Sequence, residues 1–278
     1  MTAAPARPAD QRTTGLVDLE LGRSAAGATA VRRAFQSGAG RVRFPRHAGR
    51  DTVEAIVMNT AGGLTGGDRF EVRVRLDGGR GIITTQACEK VYRSEPGAPP
   101  AALTQRLDVG AGGVARWLPQ PTIVFDGARL CRDTEIAVAD EAAVLAVEAL
   151  IFGRAAMGET LTHGAVTDRL RIRRAGRLIF ADTLRLAGDD IAALIARPAG
   201  LGGARAIATV CVVGAEAEAM IGRIREVAGA TPADVAASAW NGMLIARITA
   251  DAGDRLVASI AQIVGHLGFG ALPRPWAI

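Results

Sequence analysis

The chain has 278 residues, 49% of them hydrophobic, enough for a sizeable core in one large domain or two modest ones. Its formal net charge is +5, yet aromatics are 4% and Tyr92 is the sole tyrosine, so no basic surface interleaved with stacking rings is in prospect and no nucleic acid is expected as a partner. Cys88, Cys131 and Cys211 are too few and too scattered for a disulfide framework, and with His47, His163 and His266 equally scattered no zinc site is encoded by local spacing.

Residues 1–15, rich in Ala, Pro and Arg, lack both apolar periodicity and the apolar stretch of a signal peptide, and read as a disordered tail ahead of a single domain over 16–278. The longest apolar runs, 143–152 and 206–213, are too short to cross a bilayer. A soluble cytoplasmic protein in a reducing compartment is expected.

Short β-type runs then recur, broken by Gly, Pro or Asp: 53–58, 70–76, 82–85, 103–109, 123–125, 136–138, 144–151, 170–172 and 178–180. Asp77-Gly78-Gly79, Ala111-Gly112-Gly113 and Arg174-Ala175-Gly176 supply the positive-φ residues of tight turns. Arg169, Arg171, Arg173 and Arg174 fall among apolar positions, as on the solvated face of a strand. A mainly β fold follows, and periodicity leaves sandwich, barrel and solenoid open.

Between the first two runs lies the densest local signal, Gly62-Gly63-Leu64-Thr65-Gly66-Gly67-Asp68. Paired glycines of this kind mark φ > 0 or a close approach that a Cβ would forbid, and Asp68 stands at a strand entrance. The spacing is neither that of a P-loop nor that of a dinucleotide fingerprint, and the loop leads into a strand rather than a helix. Nucleotide binding is excluded on those grounds.

Helix enters late. Ala217, Met220, Ile221, Ile224 and Val227 form one apolar stripe stopping near Gly229, and Leu256, Ile260, Ile263, Val264 and Leu267 form another, with Gly268 placed for a left-handed cap. Residues 244–249 between them read as a last strand, so about two α-helices in the C-terminal third are expected to cover the β body.

Four segments taken together, AGGLTGGDRF at 61–70, TTQACEKVYRS at 84–94, WLPQPTIVFDGA at 117–128 and FGRAAMGE at 152–159, resemble in order and spacing the urease accessory proteins called UreD, or UreH. The closing Pro-Arg-Pro-Trp at 273–276 resembles that family's ending. The resemblance implies a β-solenoid-like stack of short strands. It also implies a chaperone that, with UreF and the GTPase UreG, binds apo-urease in an accessory complex, expected to be dimeric, and assists nickel insertion. Two departures stand out: Pro121 replaces a frequent glutamate, and Cys88 replaces a small or hydroxyl residue.

Nickel handover favours isolated carboxylates that release their cargo. Asp68, Asp126 and Glu159, each beside a glycine in these motifs, are the candidate residues for a transient nickel path, with no permanently bound cofactor and no catalytic set expected. The alternative for the same residues is that Asp68 and Asp126 cap turns and Glu159 pairs with Arg154. Two other functions stay open: a carbohydrate-active enzyme with paired carboxylates, which the scarcity of aromatics disfavours, and a metal-free β-rich adaptor.

Overall fold

The computed structural model describes residues 12–45, 51–154, 157–188 and 190–277. The chain opens with the hairpin β1 (Thr14–Arg23) and β2 (Thr29–Gly38), then β3 (Gly40–Arg43) and β4 (Thr52–Asn59). β5 (Arg69–Asp77), β6 (Gly79–Thr85), the short β7 (Glu89–Val91), β8 (Ala101–Val109) and β9 (Gly113–Leu118) follow. Next come the short β10 (Thr122–Val124), β11 (Arg129–Val138), β12 (Ala143–Phe152) and the hairpin β13 (Gly164–Arg174) and β14 (Arg177–Gly188). The last third holds α1 (Ile191–Ala196), β15 (Ala206–Val213), α2 (Ile221–Ala228), β16 (Asp234–Trp240), β17 (Met243–Ala250) and α3 (Gly253–His266).

Two mixed sheets result. The first, of seven strands, runs β14-β13-β11-β8-β5-β1-β2; the second, of ten, runs β16-β17-β15-β12-β9-β6-β4-β3, with β10 attached beside β12 and β7 beside β10. From β4 to β13 the chain alternates between them, and each long strand lies parallel to its predecessor in the same sheet.

Burial follows from what covers each face. The outer face of the first sheet is open to solvent, so β5 and β11 alternate buried and less buried positions. The outer face of the second sheet lies under α2 and α3, and β12 is accordingly buried along almost its whole length. One apolar cluster fills the space between the sheets, including Leu19, Val74, Leu107 and Ile136. A second, including Leu145, Val210, Ile224, Ile260 and Ile263, lies between the second sheet and the helices.

The mainly β body and both expected helices are present; a third α-helix, α1, was not anticipated. Its six residues are too few to show a stripe, and its stop and start are local, with Asp190 Oδ1 accepting from the Ala193 N–H at 3.0 Å. β1, β2, β3, β7, β9, β15 and β16 are also additions. β1 begins at Thr14, two residues before the expected onset of order, while residues 1–11 lie outside the described residues.

Between β4 and β13, crossings from the first sheet to the second are tight: Gly78 alone, at φ +68°, connects β5 to β6, and residues 110–112 and 139–142 serve the next two. Crossings the other way, 60–68, 86–100, 119–128 and 153–163, are longer. All four motif segments overlap one of these longer connections, so they gather on one rim of the strands.

Candidate functional site

The rim is a continuous hydrogen-bonded layer rather than a set of separate loops. Leu64 N–H donates to the Lys90 carbonyl at 2.7 Å and Tyr92 N–H donates to the Leu64 carbonyl at 2.8 Å. β7 then pairs with β10 in parallel, Val91 opposite Val124, and β10 pairs with β12, Val124 opposite Phe152. Ser94 N–H reaches the Gly127 carbonyl and Gly127 N–H the His163 carbonyl, both at 3.0 Å. The first motif is thereby bound to the second, the second to the third, and the third to the fourth, which satisfies backbone groups that a loop would otherwise leave to water. The glycine pairs behave as expected: Gly67 has φ +88°, and a Cβ on Gly66 would meet Ala98 Cβ and the Pro99 carbonyl at 2.9 Å.

Each candidate carboxylate is already engaged. Asp68, only 4% exposed, accepts the Thr13 and Thr65 N–H groups, one on each oxygen, both at 2.8 Å. It ties the N-terminal end of β1 to the turn before β5. Asp126 accepts from the Thr162 N–H at 2.7 Å, the Thr162 hydroxyl at 2.8 Å and the His163 N–H at 3.0 Å, and pairs with Arg93 at 2.9 Å. Burial works to raise its pKa, but these hydrogen bonds and Arg93 together hold it below the usual carboxylate range.

Glu159 receives Arg154 through Nε at 2.9 Å and Nη2 at 3.0 Å, and also accepts the Arg154 N–H at 3.0 Å. The Arg154 hydrogen bond is the main reason its pKa lies below the ordinary value. The same guanidinium stacks 4.4 Å from the Phe125 ring centroid, and Phe125 meets Tyr92 edge-on at 5.0 Å. Asp126 and Glu159 therefore belong to one neighbourhood, with the Asp126 backbone also favouring the ionised Glu159. The turn-capping and ion-pair contacts named as alternatives for all three residues are present. Among the described residues no group of three or more His, Cys, Asp or Glu could hold a metal ion.

Between the sheets on this side lies a cavity of about 160 Å³ whose lining includes Asn59, Cys88, Glu89, Gln120, Thr122 and Arg132. Burial lifts Glu89 to a pKa of about 7, against the opposing hydrogen bonds from Asn59 Nδ2 at 3.2 and 3.3 Å. Burial also raises the Cys88 thiol, which sits 3.8 Å from Gln120 Oε1, so it is held away from the thiolate form that binds metals. Pro121, where the resemblance expects glutamate, is buried, and Gln120 beside it is locked by a bond from its amide to the Thr85 carbonyl at 3.1 Å.

Sequence reading missed the polar group behind this cavity. Arg132, 2% exposed, grips Asp168 on the adjacent strand through Nε at 2.7 Å and Nη2 at 2.6 Å, and reaches Glu148 on the opposite sheet at 3.0 Å. Trp117 Nε1 donates to the other Glu148 oxygen at 2.8 Å. One cation serves two carboxylates, so burial raises Glu148 while Asp168 keeps Arg132 charged. Removing Arg132 would leave the buried Glu148 and the partly buried Asp168 uncompensated, at a cost of about 3–5 kcal/mol. The signal was available: Arg132 shares the inward parity of Leu130, Thr134 and Ile136, and Glu148 interrupts the apolar run of β12.

The C-terminal motif closes on the same region. Trp276, 5% exposed, donates its indole N–H to the Leu118 carbonyl at 3.0 Å, at the end of β9 where the third motif begins.

Fold and rim together define a two-sheet β protein whose long connections are fused into one hydrogen-bonded layer with held carboxylates. The sequence model of the UreD urease accessory proteins matches residues 13–276, and the chain belongs to that family. A Rhodopseudomonas palustris protein named urease accessory protein UreD is 45% identical over 96% of this chain and 94% of its own length. Those of Bradyrhizobium diazoefficiens, 46% identical over 87% and 86%, and Rhizobium leguminosarum bv. viciae, 43% over 90% of each, carry the same name.

Proposed function

We propose that this chain is a non-catalytic urease maturation scaffold that works in the cytoplasm with UreF and the GTPase UreG, holding apo-urease while nickel is inserted. The observation that carries the reading is the family match over residues 13–276, whose motif segments converge on one rim. The alternation of parallel strands between two sheets supports a β-solenoid-like description of the body. No helix among the described residues is long and apolar enough to cross a membrane.

Nickel, as cargo, would meet Asp126 and Glu159 by displacing Arg93 or Arg154, whose side chains are 72% and 44% exposed, and Arg154 would also have to leave the Phe125 ring. Asp68 would have to surrender two backbone bonds, which makes it the weakest of the three for that role. The second reading, a metal-free adaptor, is favoured by those same contacts. A carbohydrate-active enzyme is disfavoured: Asp126 and Glu159 are both held below the ordinary range, so neither is a proton donor at neutral pH, and among the described residues Glu89 is the sole carboxylate lining its cavity.

Deleting this gene from a strain with otherwise complete urease structural and accessory genes tests the proposal. Urease protein is expected to accumulate with little nickel, measured by metal analysis of the purified enzyme. A normal nickel complement in the deletion strain would overturn the reading.

A further inference from the structure

The helix layer over the second sheet ends near β9, and a groove of about 370 Å³ opens where β6 and β9 emerge from beneath it. Three arginines converge there from three elements. Arg80 and Arg116 stand on neighbouring strands, with Arg80 opposite Val114 and Ile82 opposite Arg116, and Arg223 comes from α2. The register puts both strand arginines on the face that packs against the helices, which Ile82 also shares.

Among the described residues these charges are offset only by carboxylates beyond ion-pair distance, Glu54 acting on Arg116 and Glu216 in the lining. Among the described residues none of the three forms an ion pair, whereas Arg169 and Arg171 on the first sheet share Asp133 and Arg173 pairs with Glu135. Arg116 Nη2 donates to the Gly270 and Ala271 carbonyls at 3.2 and 2.6 Å, and Arg223 Nη1 donates to the Leu267 carbonyl at 3.3 Å. Carbonyls orient a guanidinium without cancelling its charge. The Arg116 Nε is buried with no hydrogen-bond partner, and burial lowers the pKa of this group, so an incoming anion would relieve an existing cost. Among the described residues Glu216 is the one carboxylate in the lining.

The walls are apolar, with Val114, Leu267 and Phe269 beside the arginines. A phosphate ion would satisfy the guanidiniums and leave those walls wet. A peptide bearing carboxylates next to apolar side chains would fill both, since arginine forks match carboxylates and apolar neighbours exclude water around them. We propose that this groove is the seat of an acidic, partly apolar segment of a protein partner, on a face separate from the motif rim.

Fluorescence anisotropy on the full chain tests this with a labelled peptide of Glu-Glu-Leu repeats, the matching Gln-Gln-Leu peptide and inorganic phosphate as competitor. Saturable binding of the acidic peptide is expected, weakening with salt, with the glutamine peptide at least about tenfold weaker and Arg80→Gln lowering affinity about tenfold. Arg80 is exposed and forms no ion pair, so this variant keeps the fold; Arg80→Gln with Arg223→Gln should lose more. Equal binding of the two peptides, or unchanged affinity in both variants, would overturn the proposal. So would displacement of the peptide by an equal concentration of phosphate, which would make the groove a small-anion site. The readout needs neither nickel nor urease, so its failure leaves the maturation role untouched.

Discussion

The burial of Glu89 gives the protein a pH dependence that can be measured. Glu89 is raised by burial to about 7 from an unfolded value near 4.5. The native state therefore holds its proton where the unfolded chain has released it, and the stabilisation present below about pH 4.5 is lost as pH rises through 7. The span is worth about 3 kcal/mol. Urea melts at pH 5 and pH 8 should show Glu89→Gln gaining relative to the parent at the higher pH; parallel profiles would remove the buried-acid assignment.

Asp68 and Glu159 differ in what they hold. Asp68→Ala strands two N–H groups at a nearly closed turn, and a loss of about 2 kcal/mol or more in thermal or urea unfolding is expected. Glu159→Ala releases an exposed arginine, with only a small fall in melting temperature and, if UreF is the partner proposed above, intact UreF pull-down. If Glu159 guides nickel, urease matured with that variant carries less metal while the protein stays folded. A full nickel complement would leave the chain a scaffold only.

Elements show how distant motifs become one surface. The closing Pro-Arg-Pro-Trp forms a short 3-10 turn, and its tryptophan reaches back across the sequence to the end of β9. Trp276→Ala should cost about 3–5 kcal/mol through cavity formation and the lost bond to Leu118. If the clip serves only to hold the tail, Trp276→Phe should recover most of that stability in denaturant melts; recovery confined to tryptophan would give the indole bond the larger share. The helices were legible because their stripes are eight residues or longer, whereas α1 is set by one cap and its contact with β14. β16 was missed because Asp234–Trp240 is mostly Ala and Ser, whose small side chains carry little β signal.

Across the whole molecule, local alternation was enough to read a mainly β chain, because neighbouring side chains in a strand point to opposite faces whatever the strand pairs with. Glycine turns were legible for a similar reason: positive φ is a property of one residue and its immediate neighbours, as at Gly78 and Gly176. The motif order carried the family. Sequence alone could not decide that the chain alternates between two sheets, that its long connections share one rim, or that Arg132 meets Glu148 across the core. Those depend on which strands pair and how two sheets face each other, and such contacts join residues far apart in the chain, beyond the reach of any local pattern.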